Sequence, residues 1–226
     1  MGTSGVFGFY YQGRFYVIYN HWDSYPEGLG QSVVGELFDV LHAGNLEQWK
    51  ALVSQLKVVS YDIKPTAEDI EKLKPHTNLS VSGGSTDDWY CLLRDCQGSL
   101  EEVLKSGYCL NHCNNNVLDD FGEYGYIVNL DHETLDFYHF CQHEDHDDSK
   151  AISFSFANGD LRGLEFLMKT DLWCSCLGPE TNEVGLAVVS GTNEVNGTSA
   201  AQINSAAYMA QAVMWAHQRS LADVSN

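Results

Sequence analysis

Between Tyr19 and Tyr25 the chain reads Tyr19-Asn20-His21-Trp22-Asp23-Ser24-Tyr25, which gathers an amide, an imidazole, a carboxylate, a hydroxyl and two phenols within seven residues. Pro26-Glu27-Gly28-Leu29-Gly30 follows at once as a turn. Asp23 can act as a general base or stabilise a cationic transition state, and His21 can give or take a proton near neutral pH. Asn20 offers both a donor and an acceptor for orienting a substrate. Tyr19 and Tyr25 can stack on a planar substrate or donate hydrogen bonds, with Ser24 joining them as a contact. Gly28 and Gly30 would let backbone N–H groups approach a ligand, and a helix starting near Gln31 would favour an anion. The competing reading is an Asx-type turn. There Asp23 and Ser24 bond local backbone, His21 is a satisfied polar residue, and the glycines only shape the chain.

Hydrolysis of an N-glycosidic bond needs a carboxylate facing an oxocarbenium-like centre and an aromatic platform for the base. Asp23 with Tyr19 or Tyr25 supplies that minimum. The leading reading is therefore a hydrolase acting on a small polar or nucleotide-like substrate. Asp23, His21 and Asn20 are its catalytic candidates, and Tyr19, Ser24, Tyr25, Gly28 and Gly30 its substrate contacts. It calls for no cofactor and no metal. The alternative is a non-catalytic, acidic binding or inhibitor protein that sequesters a small ligand or blocks a macromolecular partner.

These residues must be positioned by the elements around them. Gly5 to Tyr11 and Arg14 to Tyr19 are aromatic and β-branched and flank Gln12-Gly13, which predicts a β-hairpin ending in the polar loop. Val34, Leu37, Phe38 and Leu41 recur at helical spacing within Gln31 to Leu41. Asn45 is placed to cap a second helix, with Leu46, Trp49, Val53 and Leu56 on its apolar face. Thr66 to Asp69 opens a third helix that stops before Pro75. Residues 76–87 read as a loop, and Ser99 to Glu102 opens a helix ending at Gly107. Asn114-Asn115-Asn116 signals a turn.

Glu123 to Phe140 reads as a second hairpin, and Ile152, Phe154 and Phe156 alternate as a further strand. Val184 to Val189 reads as a buried strand, and Thr198 or Ser199 caps an Ala-rich helix running to about Leu221. Strands come as hairpins and helices in a block between them. That order predicts one α+β domain over residues 1–226 with an antiparallel sheet.

The 226 residues carry 12 basic and 31 acidic side chains, a net charge of −19. Such a field repels phosphate backbones, so an extended nucleic acid is not expected as a partner. No run of about 18 apolar residues occurs, so no membrane-spanning helix is expected. No secretory signal is visible, and the sequons at Asn78 and Asn196 are expected to be unused. Seven cysteines, an odd number, fit reduced thiols in the cytoplasm. Oligomeric state is not set by anything in the sequence.

Two resemblances bear on this reading. The opening Met1-Gly2-Thr3-Ser4-Gly5, the hairpin and the Tyr19–Gly30 stretch resemble an uncharacterised family of fungal, phage and viral proteins. Their pattern begins Met-Gly-Thr-Arg-Gly and carries Tyr-Asn-His-aromatic-Asp-Ser-Tyr-Pro-x-Gly-Leu-Gly. The Glu123–Asp131 hairpin is similar too. This chain has Ser4 where that family has arginine, so an anion-binding role for the arginine would be lost here. The resemblance brings no settled activity. The layout of strand, hairpin and polar loop also resembles the layered N-terminal-nucleophile hydrolases. Their mechanism needs Cys, Ser or Thr at the mature N-terminus, whereas removal of Met1 exposes Gly2 and a cut before Thr3 would be required.

Cys109-x-x-His112-Cys113 with His139-x-Cys141-x-His143-x-x-His146 offers enough ligands for zinc, but not at the spacing of a finger or ribbon. Buried thiols and a solvated acidic turn are the preferred reading. Cys174-x-Cys176 is read as packing, Ser82-Gly83-Gly84-Ser85 as a plain loop, and Glu101-Glu102 and Glu144-Asp145 as charged faces.

Overall fold

The computed structural model describes residues 2–114, 117–118, 122–139 and 152–169. The Asn115-Asn116 turn, Cys141, His143, His146, Cys174, Cys176, the acidic run 144–148, the Val184–Val189 strand, the Ala-rich helix and the Asn196 sequon lie outside these residues.

The first hairpin pairs β1 (Gly5–Tyr11) with β2 (Arg14–Asn20) in the register Tyr11↔Arg14 to Gly5↔Asn20. Gln12 and Gly13 both have positive φ, 52° and 71°, the two-residue turn whose twist matches the flanking strands. Their N–H groups donate to the carboxylate of Asp131 at 2.9 and 3.0 Å. The turn of the second hairpin therefore holds the turn of the first. After a π-helical turn at Pro26–Gly30 come α1 (Gln31–His42) and α2 (Leu46–Ser54). Asn45 precedes α2 as expected, but its side chain makes no capping bond.

A short β3 (Lys57–Val59) leads to α3 (Ala67–Leu73), where Thr66 and Asp69 form a reciprocal capping box. Asp69 is buried and also accepts from Lys57 Nζ at 2.5 Å and from the Tyr108 hydroxyl at 2.7 Å. Burial pushes this carboxyl upward, but the bonds from Lys57, Tyr108 and Thr66 outweigh it and hold it well below the usual carboxylate range. One acid thus ties α3 to two strands. The next elements are α4 (Trp89–Leu92), α5 (Leu100–Ser106, capped by Ser99) and β4 (Tyr108–Leu110), which pairs with β3 in parallel. Short strands β5 (Cys113–Asn114) and β6 (Val117–Leu118) pair with each other.

The second hairpin is β7 (Tyr124–Asn129) and β8 (Thr134–His139), followed by β9 (Ile152–Ser155) and α6 (Arg162–Lys169). The five-stranded sheet has the order β2-β1-β7-β8-β9. It corrects the antiparallel expectation, because β1 and β7 run parallel, Gly5 beside Tyr124 through Tyr10 beside Asn129. Each hairpin is antiparallel by construction. The helices and short strands between them carry the chain from the end of β2 to the free edge of β1 at the same end of the sheet, so β7 enters beside β1 in the same direction. The α+β class stands, with a mixed sheet.

Alternation sends Phe7, Phe9, Ile18, Tyr126, Val128, Leu135, Phe137 and Phe154 into one core with Val34, Leu37, Val53, Leu100 and Val103 of the helices. The ring of Phe9 meets Trp49 edge to face at 5.6 Å. Val6, Val17 and Ile127 form a smaller buried cluster on the other face. The outer edge of β2 is covered: Asn111 Oδ1 accepts from Val17 N at 2.8 Å, and His112 N donates to Val17 O at 2.9 Å. This edge contact blocks further strand pairing and delivers His112 to the end of β2.

Candidate functional site

Strand β2 ends at Tyr19 and Asn20, and alternation sends their side chains to opposite faces. Asn20 turns inward. It is 7% exposed, and its amide donates to Trp22 O at 2.5 Å and to Ser24 Oγ at 2.8 Å. Ser24 is wholly buried. Its N–H donates to Thr3 O, its hydroxyl to Asn20 O, and its carbonyl accepts from the Tyr126 hydroxyl, at 3.0, 3.4 and 3.0 Å. These two residues, expected to orient and touch a substrate, spend their described hydrogen bonds folding the loop onto the sheet. A buried polar group must be paired locally, and here the loop itself supplies the partners.

The glycines do likewise. A Cβ on Gly28 would lie 2.1 Å from Asp23 O, and one on Gly30 would lie 2.9 Å from the Tyr126 ring. The N–H groups of Gly28 and Gly30 donate to Tyr25 O at 2.9 and 3.5 Å, and Leu29 N donates to Asp23 O at 2.9 Å. The expected backbone cradle for a ligand is thus occupied by the turn's own carbonyls. Asp23 has φ 53°, and its exposed carboxylate accepts from the Tyr25 hydroxyl at 3.3 Å. Tyr25 is 39% exposed, and the negative charge of Asp23 raises its phenol above the ordinary value.

Tyr19 and His21 form a different pair. The Tyr19 hydroxyl lies 3.1 Å from His21 Nδ1, and Trp22, 53% exposed, meets the His21 ring edge-on at 4.4 Å. Tyr19 also meets the His112 ring at 5.7 Å, and His112 meets Tyr61 at 5.8 Å. Tyr61, His112, Tyr19, His21 and Trp22 therefore form an unbroken series of rings. Burial pushes the His112 imidazole down to about 4, so it is neutral at pH 7.

Beside this series lies a cleft walled by Tyr19, Tyr90, Gln97, Tyr108 and His112 above an apolar floor that includes Ile18 and Val103. It encloses ≈ 20 Å³, room for about one water molecule. His21 and Asp23 are not among its walls. Its far side is built by local structure. Asp88 caps α4 by accepting from Tyr90 N at 2.9 Å, and Trp89 Nε1 donates to Ile63 O at 2.6 Å, tying down the loop that carries Tyr61. A 3₁₀ turn at Arg94–Cys96 then sets Gln97 at the cleft. Tyr61, Tyr90 and Gln97 were missed from the sequence. Each is a single polar or aromatic residue in a short, aperiodic segment, and an exposed tyrosine between Ser60 and Asp62 is the only signal.

The described residues contain no group of three or more His, Cys, Asp or Glu side chains able to hold a metal ion. Cys109 is fully buried, and burial pushes its thiol up to about 12, the opposite of what a thiolate ligand needs. His139 stacks on Tyr124 with ring centroids 4.9 Å apart. Among the described residues no helix is long and apolar enough to cross a membrane. Comparison with protein-family models, curated proteins and solved structures found no match.

Proposed function

We propose that this chain is a hydrolase that takes a small, planar, nucleotide-like substrate across the mouth of the cleft beside β2, with an N-glycosidic bond as the bond broken. The observation that carries this reading is the Tyr19–His21 hydrogen bond within an unbroken series of rings at the edge of a cleft. Rings at such spacing offer stacking surfaces to a base. With the Tyr19 hydroxyl donating to Nδ1, the neutral ring carries its proton on Nε2 as a hydrogen-bond donor; with Nδ1–H donating to the phenol oxygen, Nε2 is free to act as a base, and protonation of Nε2 then gives the imidazolium that serves as the acid. In either case Nε2 is the atom that exchanges a proton with substrate. In this reading Asp23 stabilises positive charge from the exposed loop after β2, where its carboxylate accepts from the Tyr25 hydroxyl.

The same residues support a second reading, in which the cleft binds its ligand without turnover. The position of Asp23 favours it, since the carboxylate is exposed, bonded by Tyr25 and not a cleft wall. Incubation with a panel of nucleosides and nucleotides, followed by chromatography of released base, separates the two. Base release that is lost in His21→Gln and Asp23→Asn, with unchanged melting temperature, supports the hydrolase. Stoichiometric binding without release supports the second reading, and neither binding nor release removes both.

A further inference from the structure

Among the described residues, Lys50, Lys57, Lys64, Lys74, Lys105 and Arg162 each meet a carboxylate within 4.0 Å. Arg14, Lys72 and Arg94 form no such ion pair among those residues. Each lies over a tyrosine ring, Arg14 over Tyr16 at 5.4 Å, Lys72 over Tyr108 at 4.8 Å and Arg94 over Tyr90 at 5.8 Å, and Lys57, already paired with Asp69, shares the Tyr108 ring at 5.2 Å. Tyr90 and Tyr108 are both walls of the cleft. Arg94 and Lys72 thus lie over rings that wall one cleft, without themselves lining it and without a carboxylate partner among the described residues.

Arg94 is the better placed. Its Nη1 donates to Gln97 Oε1 at 2.5 Å, and Gln97 is itself a cleft wall. An amide carbonyl and a ring face orient the guanidinium without cancelling its charge. A guanidinium has five N–H donors in a fixed fork, and this bond uses one of them. Such a group matches an oxyanion that can accept two parallel bonds. The acidic field of the whole chain opposes an anion, but at physiological salt it is screened beyond about 8 Å, so the nearest charge decides. A single phosphate fits this balance better than a polyphosphate, whose further charges would approach Asp69, bonded to the Tyr108 hydroxyl, and Asp88, which caps α4 at Tyr90.

We infer that Arg94 is the anion-recognising residue of this cleft and that the substrate carries a phosphate monoester. The inference rests on the reading of the cleft as the substrate site and adds the group that sets specificity there. Calorimetric titration of the full chain with a nucleoside, the matching nucleoside monophosphate and inorganic phosphate tests it. The monophosphate is expected to bind at least about tenfold tighter than the nucleoside, as one charge-assisted bidentate contact allows. Arg94→Gln is expected to bring the affinities for nucleoside and monophosphate together, Arg94→Lys to retain part of the preference, and Lys64→Gln to leave it intact. Equal binding of nucleoside and monophosphate by the wild type, or a preference that survives Arg94→Gln, overturns the role of Arg94 and leaves ring binding standing. The wild-type comparison decides even if Arg94→Gln fails to fold. Absence of binding by all three ligands overturns both this inference and the substrate reading beneath it.

Discussion

The Tyr19 hydroxyl and His21 Nδ1 lie 3.1 Å apart, while the His112 ring lies 5.7 Å from the Tyr19 ring. Tyr19 is thus the link between the loop after β2 and the segment that covers the outer edge of β2. A residue two positions away in sequence and one 93 positions away meet on the same phenol.

That relationship gives the first prediction. Tyr19→Phe keeps the ring and removes the bond that fixes the His21 imidazole. Base release should fall by about tenfold or more, and His21→Gln should lower it by about 10²-fold, the scale of a lost acid–base group. Both variants should unfold within about 0.5 kcal/mol of the wild type, because neither empties the core. Steady-state kinetics and urea denaturation check this, and an active His21→Gln enzyme would remove the imidazole from the mechanism.

Asn20→Asp should behave as a folding variant. The amide donates to Trp22 O and Ser24 Oγ from a buried position, and a carboxylate there would face a carbonyl with no donor of its own. Leaving such a group buried and unpaired costs about 2–4 kcal/mol. Urea titration at pH 7 should show the loss even where a ligand is bound. A fully stable Asn20→Asp protein would mean that the amide is not what holds the loop.

Gly28→Ala tests the turn directly. A methyl group 2.1 Å from Asp23 O forces the Asp23 carbonyl away and breaks its bond to Leu29 N. A loss of about 2–3 kcal/mol is expected from the combined clash and lost bond. Thermal unfolding would show it as a lowered midpoint.

His112 gives the chain a pH dependence of known sign. Its folded-state value of about 4 lies below the ordinary 6.5, so between those values the unfolded chain binds the extra proton. The stabilising contribution is complete above pH 6.5 and is lost as pH falls towards 4. The full swing is at most about 3 kcal/mol. His112→Gln should flatten that part of the stability curve, measured by urea titration from pH 7 to pH 4. A slope that survives the substitution would point to another group.

The local signals were strong where one segment decides its own shape. Gln12-Gly13 set the first hairpin, Thr66 with Asp69 opened α3, and Ser99 with Gly107 bounded α5, because turn and cap chemistry act over three or four residues. With four residues in α4 and eight in α6, neither is long enough for a helical period to be read over several turns. Neither hairpin contains the information that β1 and β7 run parallel, since that depends on how the intervening helices return the chain.

From its residues alone, this protein had its α+β class, its two hairpins and the place of a polar loop rich in chemical groups. Tertiary structure decided which of those groups are already spent in folding the loop. Asn20, Ser24, Gly28 and Gly30 are consumed by the loop, because a buried donor or carbonyl must find its partner nearby. Tyr19, bonded to His21, instead meets His112, which meets Tyr61, and Tyr90 lines the same cleft with Arg94 over its ring, across gaps in sequence that no local pattern encodes.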